Sequence, residues 1–99
     1  MPSGTKNVTG PLTQEIAAIL RERMSRMKYT DRDLSEAVGA DCLSRSQVNK
    51  IRAGQKHVDI DDYERICVAL GLDFIEVLTR AAASTPDRHS AAGWDVRRL

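Results

Sequence analysis

The chain of 99 residues is long enough for one domain with one core, and because only 4% of its residues are aromatic, aliphatic side chains must build that core. Its longest apolar runs are too short for a membrane span, and the N-terminal segment lacks the basic flank and apolar stretch of a secretory signal. The net charge of +1 conceals an uneven distribution: residues 44–58 carry four basic and no acidic side chains, whereas residues 59–79 carry six acids and one Arg. We therefore expect a positive and a negative face.

The chain begins with a Gly-, Ser- and Thr-rich segment, and residues 1–10 are predicted to be a flexible arm. A helical pattern starts at Pro11, a residue suited to the first position of a helix because its missing N–H is not needed there. Apolar residues then recur at intervals of three and four, which predicts an amphipathic helix. They are Leu12, Ile16, Ile19, Leu20, Met24 and Met27.

The segment "TDRD" predicts the start of a second helix, with Thr30 as its cap and Asp33 in its first turn. Its predicted inward residues are Leu34, Ala37 and Val38, and Gly39 is predicted to end it in a left-handed conformation. After the turn "ADCL", Ser44 is expected to cap a third helix that runs to about residue 53. Only two apolar residues of that helix, Val48 and Ile51, point to the core.

Two further helices follow. One starts at Asp59 with Asp62 as a capping-box variant, and the other starts near Asp73. Their predicted buried residues are Tyr63, Ile66, Cys67 and Leu70 in the fourth helix and Phe74, Val77, Leu78 and Ala81 in the fifth. Pro86 cannot continue a helix, so residues 84–99 are predicted to be a C-terminal tail, in which Trp94 is expected to dock. The sequence thus predicts an all-α, five-helix domain over residues 11–83.

The third helix has an unusual outward face. With Val48 and Ile51 pointing inward, the exposed positions hold Arg45, Ser46, Gln47, Asn49 and Lys50. Arg and Lys pair with guanine edges, Asn and Gln pair with adenine, and Ser is adaptable. A polar basic face of this kind is often only solvated, but the helix and turn that precede it favour DNA recognition.

The segments "TDRDLSEAVG", "LSRSQVNKIRAGQK" and "IDDYERICVALGL" together resemble the helix-turn-helix domain of the Cro and lambda-repressor family, over roughly residues 12–80. The resemblance implies a lambda-repressor-like fold with residues 44–53 as the recognition helix. It implies base contacts from Arg45, Ser46, Asn49 and Lys50. It implies phosphate contacts from Ser44, Gln47, Gln55 and Lys56, with Arg32 and Arg52 as further candidates.

Three features depart from the family pattern. The turn between the second and third helices is longer, through residues 40–42. The family's frequent Gln at the start of the second helix is Asp31 here, whose charge would repel a phosphate, so this contact is either lost or replaced by Arg32. Where many relatives carry a Glu that pairs with a basic residue of the first helix, this chain has Arg52, and the matching first-helix position is Met24. Arg52 is therefore open to either a phosphate or an acid elsewhere in the domain.

Other chemistries are weaker candidates. The spacing of Cys42, His57, Cys67 and His89 matches no metal-ligand pattern, so no metal or other cofactor is expected. Cys42 is predicted to lie in an exposed turn and Cys67 in the core. No nucleophile signature accompanies Cys42, His57 and Asp59, so the chain is not expected to be an enzyme or to have a small-molecule substrate.

These observations predict a sequence-specific DNA-binding transcriptional regulator, a repressor of a temperate phage or prophage in the cytoplasm of a bacterial host. The expected partner is a double-stranded DNA operator, with no membrane involved. A homodimer is expected through helix 73–83, with the tail as a second candidate contact. Two alternatives keep the fold: the antitoxin of a toxin–antitoxin pair, holding its partner with the tail "GWDVRRL", or the controller protein of a restriction system.

Overall fold

The computed structural model describes residues 9–85 and folds them into five helices. In chain order these are α1 (Pro11–Met27), α2 (Asp31–Val38), α3 (Arg45–Arg52), α4 (Ile60–Ala69) and α5 (Phe74–Ala83). All regular structure within this range is helical, which confirms the all-α prediction. Most of the predicted arm, residues 1–8, and most of the tail, residues 86–99 with His89 and Trp94, lie outside the described residues.

The helices begin largely where local signals predicted. Pro11 is the first residue of α1, and Thr30 caps α2 through a capping box: its hydroxyl accepts from the Asp33 N–H at 3.1 Å, and Asp33 accepts from the Thr30 N–H at 2.9 Å. The Asp73 carboxylate likewise accepts two backbone N–H bonds at the start of α5. The α4 prediction is wrong in detail, because Asp59 makes no side-chain cap bond and Asp62 instead pairs with Arg65 at 3.0 Å.

The inner face of α2 also differs from the prediction. Leu34 is buried as expected, but Ala37 is exposed, and Ser35 is 4% exposed and donates to the Leu43 carbonyl at 2.6 Å. On a helical wheel Ser35 and Ala37 lie on opposite sides of the Leu34–Val38 stripe, each about 80° from its middle. The apolar side chain of Ala37 made it the expected core residue, but the turn before α3 covers the Ser35 side of the helix. Gly39 has φ 112° and ψ 116°, which is positive but not the predicted left-handed helical conformation.

The main core lies where the first four helices meet. Its buried members are Leu20, Met24, Leu34, Leu43, Val48, Ile51, Ile66 and Leu70. A smaller cluster of Tyr63, Cys67 and Val77 attaches α5, and Phe74 packs edge-on against Tyr63 with ring centroids 5.4 Å apart. Of the predicted α5 residues, Val77 and Ala81 are buried, while Phe74 and Leu78 are half-buried. Within residues 9–85, none of the helices combines the length and apolar character that crossing a bilayer requires.

Candidate nucleic-acid interface

The N-terminus of α3 is held by a reciprocal cap. The Ser44 hydroxyl accepts from the Gln47 N–H at 3.2 Å, and the Gln47 side-chain oxygen accepts from the Ser44 N–H at 2.9 Å. Each bond satisfies a backbone donor that the first turn of a helix leaves unpaired. The cap uses the oxygen of Gln47 and leaves its amide nitrogen as a donor, so both predicted phosphate-contacting residues also define where α3 starts.

Two aliphatic side chains fix the orientation of α3. Val48 and Ile51 are 1% and 4% exposed, as the sequence predicted. With these residues turned inward, the opposite face of the helix is open to solvent. It carries Arg45, Ser46, Asn49 and Lys50, the four residues predicted to face bases, all of which are exposed. The structure therefore brings the predicted base-contacting residues together on one surface.

The C-terminus of α3 is tied to α1. The Gly54 carbonyl accepts hydrogen bonds from the Thr9 hydroxyl at 2.8 Å and the Gln14 amide at 2.7 Å, and Arg21 donates to the Arg52 carbonyl at 2.8 Å. Gly54 has φ 76°, a backbone conformation that favours glycine, and a Cβ there would displace the Gln14 amide that binds its carbonyl. The predicted flexible arm, residues 1–10, is therefore too long, because Thr9 belongs to the support of α3.

A polar cluster joins the first residue of α2 to the last turn of α3. Asp31 accepts from Arg52 Nε at 2.7 Å and Nη2 at 3.1 Å, and the Nδ2 group of Asn49 donates to the same carboxylate at 3.0 Å. The two Arg52 bonds form the parallel fork that Arg and carboxylate favour. The Arg52 hydrogen bonds lower the pKa of Asp31, more than burial raises it, and the Asp31 carboxylate raises the pKa of Arg52.

This cluster answers the question that the sequence left open for Arg52. Its guanidinium meets an acid, Asp31, while Met24 is buried in the core. Asp31 also does not stand as an uncompensated charge, because Arg52 neutralises it. Sequence reasoning missed the pair because 21 residues separate its members. The available signal was that the two departures from the family pattern, an acid at Asp31 and a base at Arg52, are complementary.

Comparison with protein families agrees with this geometry. Residues 19–82 match the Cro/C1-type HTH DNA-binding domain, a range that contains the α2–turn–α3 unit and its supporting helices. The chain belongs to the Cro/C1-type helix-turn-helix family. Searches of curated proteins and of solved structures found no significant match. Within that unit α3 is the second helix of the helix-turn-helix.

The remaining predicted phosphate contacts of this Cro/C1-type domain lie outside α3. Arg32 is exposed in the first turn of α2, where its Nε lies 3.1 Å from Glu36. Both side chains are more than half exposed, and a surface pair of this kind is weak enough to exchange for a phosphate. Gln55 is exposed after the end of α3, and the half-buried Lys56 reaches the His57 carbonyl at 3.4 Å.

The two cysteines of the Cro/C1-type domain lie in different environments, as predicted. Cys42 is exposed in the turn before α3, and Cys67 is buried in α4, where desolvation raises the pKa of its thiol. Across residues 9–85 no group of three or more His, Cys, Asp or Glu side chains could hold a metal ion.

Proposed function

We propose that this Cro/C1-type protein is a sequence-specific repressor that inserts α3 into the major groove of an operator. The family assignment makes it a DNA-binding protein of the regulatory type. The observation that supports sequence-specific reading is the single exposed face formed by Arg45, Ser46, Asn49 and Lys50 above two buried anchors. These side chains are the types that pair with base edges, and an α-helix fits the width of the groove.

The charges around α3 support the same docking direction. Within the described part of the chain, Arg45 and Lys50 form no salt bridge, and the first turn of α3 contains no acid. The acids of α4, Asp61 and Glu64 among them, are exposed elsewhere on the domain. Phosphates are therefore attracted to the α3 face, with Ser44, Gln47, Gln55 and Lys56 around the base-reading residues and Arg32 beyond them.

The proposed assembly is a homodimer on an inverted repeat, with two copies of α3 about 34 Å apart in successive major grooves. The supporting observation is on α5, where Ile75 is 57% exposed and Leu78, one turn later, is half-buried. Helix α5 packs against α1 and α4 rather than against α3, so this seam would use a different helix from the one that faces DNA. Such a protein would act as a phage or prophage repressor in a bacterial cytoplasm. The antitoxin alternative depends on "GWDVRRL", which lies outside the described residues, so no contact in the structure favours it.

The test begins with selection of bound duplexes from a random DNA pool, followed by sizing of the complex in solution. Replacing Arg45 with Ala should cost about 1–3 kcal/mol of binding free energy and relax preference at one base position. Replacing Lys56 with Ala should weaken binding to all sequences alike and make the salt dependence shallower.

Retention of full operator discrimination by Arg45→Ala would reject the assignment of α3 as the reading helix. A complex with one protein chain per duplex would reject the dimer. Val68→Ala, at a side chain of α4 that is 75% exposed, changes neither the charge nor α3 and should bind like the unmodified protein.

A further inference from the structure

The orientation of the Asn49 side-chain amide is decided within the protein. Its Nδ2 group donates to Asp31 Oδ2 at 3.0 Å. A carboxylate can only accept hydrogen bonds, so the amide oxygen of Asn49 cannot take this place and a flip of the amide is unfavourable. Among the hydrogen bonds within residues 9–85, none occupies Oδ1 of Asn49. The oxygen and the second N–H are the groups left to meet a ligand.

The carboxylate that orients Asn49 is itself held in place. Arg52 donates hydrogen bonds to both of its oxygens, from Nε to Oδ1 at 2.7 Å and from Nη2 to Oδ2 at 3.1 Å, and the Asp31 side chain is only 18% exposed. The backbone of Arg52 is in turn fixed by the Arg21 hydrogen bond. Asp31 is thus an anion held between two helices, and its hydrogen bond orients the exposed Asn49 side chain of α3.

We propose that Asp31 is a positioning residue for specificity: by fixing the Asn49 amide, it makes the protein prefer a base with an exocyclic amino group at the position that Asn49 faces. This inference rests on the proposed docking of α3 in the major groove. A free amide oxygen accepts from adenine N6 or cytosine N4, whereas guanine O6 and thymine O4 repel that oxygen and leave only the second N–H of Asn49 to pair. The second N–H can also donate to adenine N7, so adenine is preferred over cytosine.

The same cluster also restrains affinity. Asp31 binds Arg52, a candidate phosphate contact, and adds a negative charge to the α3 side of the domain. Its removal should therefore release Arg52 and strengthen binding to DNA of any sequence while it weakens discrimination at one position. A variant that only destabilised the fold would lower both affinity and discrimination, so the opposite changes distinguish positioning from structural support.

The experiment selects duplexes from a random pool with the full chain and with Asp31→Ala. At the Asn49 position, the preference for adenine or cytosine over guanine or thymine should fall from about tenfold to within about twofold. Preferences at the other positions should persist, and the slope of log affinity against log salt should steepen by about one phosphate contact. In an Asn49→Ala background, Asp31→Ala should change no base preference. Asp41→Ala, which removes an exposed acid from the turn, is the matched control and should keep the selected motif.

An unchanged motif in Asp31→Ala, or an equal loss of preference at all positions, would overturn the positioning role while leaving the DNA-binding proposal intact. Failure of the unmodified chain to select any motif would overturn both. If Asp31→Ala lacks a cooperative thermal transition, Asp31→Asn replaces it: an amide can present either a donor or an acceptor to Asn49, so the same loss at one position is expected.

Discussion

Helices α3 and α4 are of similar length but are held in place in different ways. Helix α4 buries Tyr63, Ile66 and Cys67 and has no side-chain cap at its N-terminus. Helix α3 buries only Val48 and Ile51, and it has a reciprocal cap, a polar cluster with Asp31 and hydrogen bonds from α1 at its end. A helix that leaves most of its surface for a ligand has little apolar area to bury, so directional polar contacts take over its positioning.

The comparison also explains why the polar contacts of α3 lie at its ends and edge rather than on its outward face. The carbonyls of Arg52 and Gly54 and the N–H groups of the first turn are backbone atoms that a helix terminus leaves unpaired. Satisfying them from α1 and from Ser44 fixes α3 without using Arg45, Ser46 or Lys50. Asn49 is the exception, because it belongs to both the supporting cluster and the exposed face.

The largest loss of folding stability is expected from a substitution in the core of α4. Replacing Ile66, which is fully buried, with Ala should lower the free energy of unfolding by about 2–5 kcal/mol through lost burial and a residual cavity. Val68→Ala, on the same helix but at a side chain 75% exposed, should change it by less than about 0.5 kcal/mol. Urea unfolding followed by circular dichroism measures both. Equal effects of the two substitutions would contradict the view that burial holds α4.

A smaller effect should separate the two helix caps. Ser44→Ala removes the side-chain acceptor for the Gln47 N–H and should cost about 1 kcal/mol of unfolding free energy. Asp59→Ala removes no side-chain hydrogen bond and should cost at most about 0.5 kcal/mol from the helix dipole. The same denaturation experiment reports the ranking, and a larger loss for Asp59→Ala would reverse the conclusion about which helix depends on its cap.

The smallest expected effect is the change with pH in the contribution of Asp31 to folding stability. The pKa of Asp31 is lowered from its ordinary value of 3.8, chiefly by the Arg52 hydrogen bonds, so its contribution to stability is fully present above that value and is lost as pH falls through the lower pKa of the folded state. Between neutral pH and pH 4 the stability difference between the unmodified protein and Asp31→Asn should stay constant, and below pH 4 it should shrink. Thermal unfolding across this range measures the difference, and a gap that widens in acid would show that Asp31 is not stabilised as a carboxylate.

Local signals predicted the helices, the anchors Val48 and Ile51 and the polar face of α3, because helical periodicity and capping act over a few residues. Local signals wrongly predicted that Ala37 rather than Ser35 is buried, because the two residues flank the apolar stripe of α2 symmetrically. The turn before α3 packs over the Ser35 side, and this contact exists only in the folded protein. The predicted Asp59 cap is also absent, and Asp62, its expected capping-box partner, pairs instead with Arg65 one turn later in α4. The Ser35 contact is thus tertiary, whereas the Asp62–Arg65 pair is a second local pattern.

The amino-acid sequence by itself determined the five helices and which side of the third helix faces outward, because the spacing of apolar side chains is a property of each helix alone. Only the tertiary structure decided that Asp31 meets Arg52 and Asn49, and that Thr9, Gln14 and Arg21 reach the end of α3. Those contacts depend on the distance and angle between packed helices, which many weak core contacts set together and which no short stretch of sequence contains.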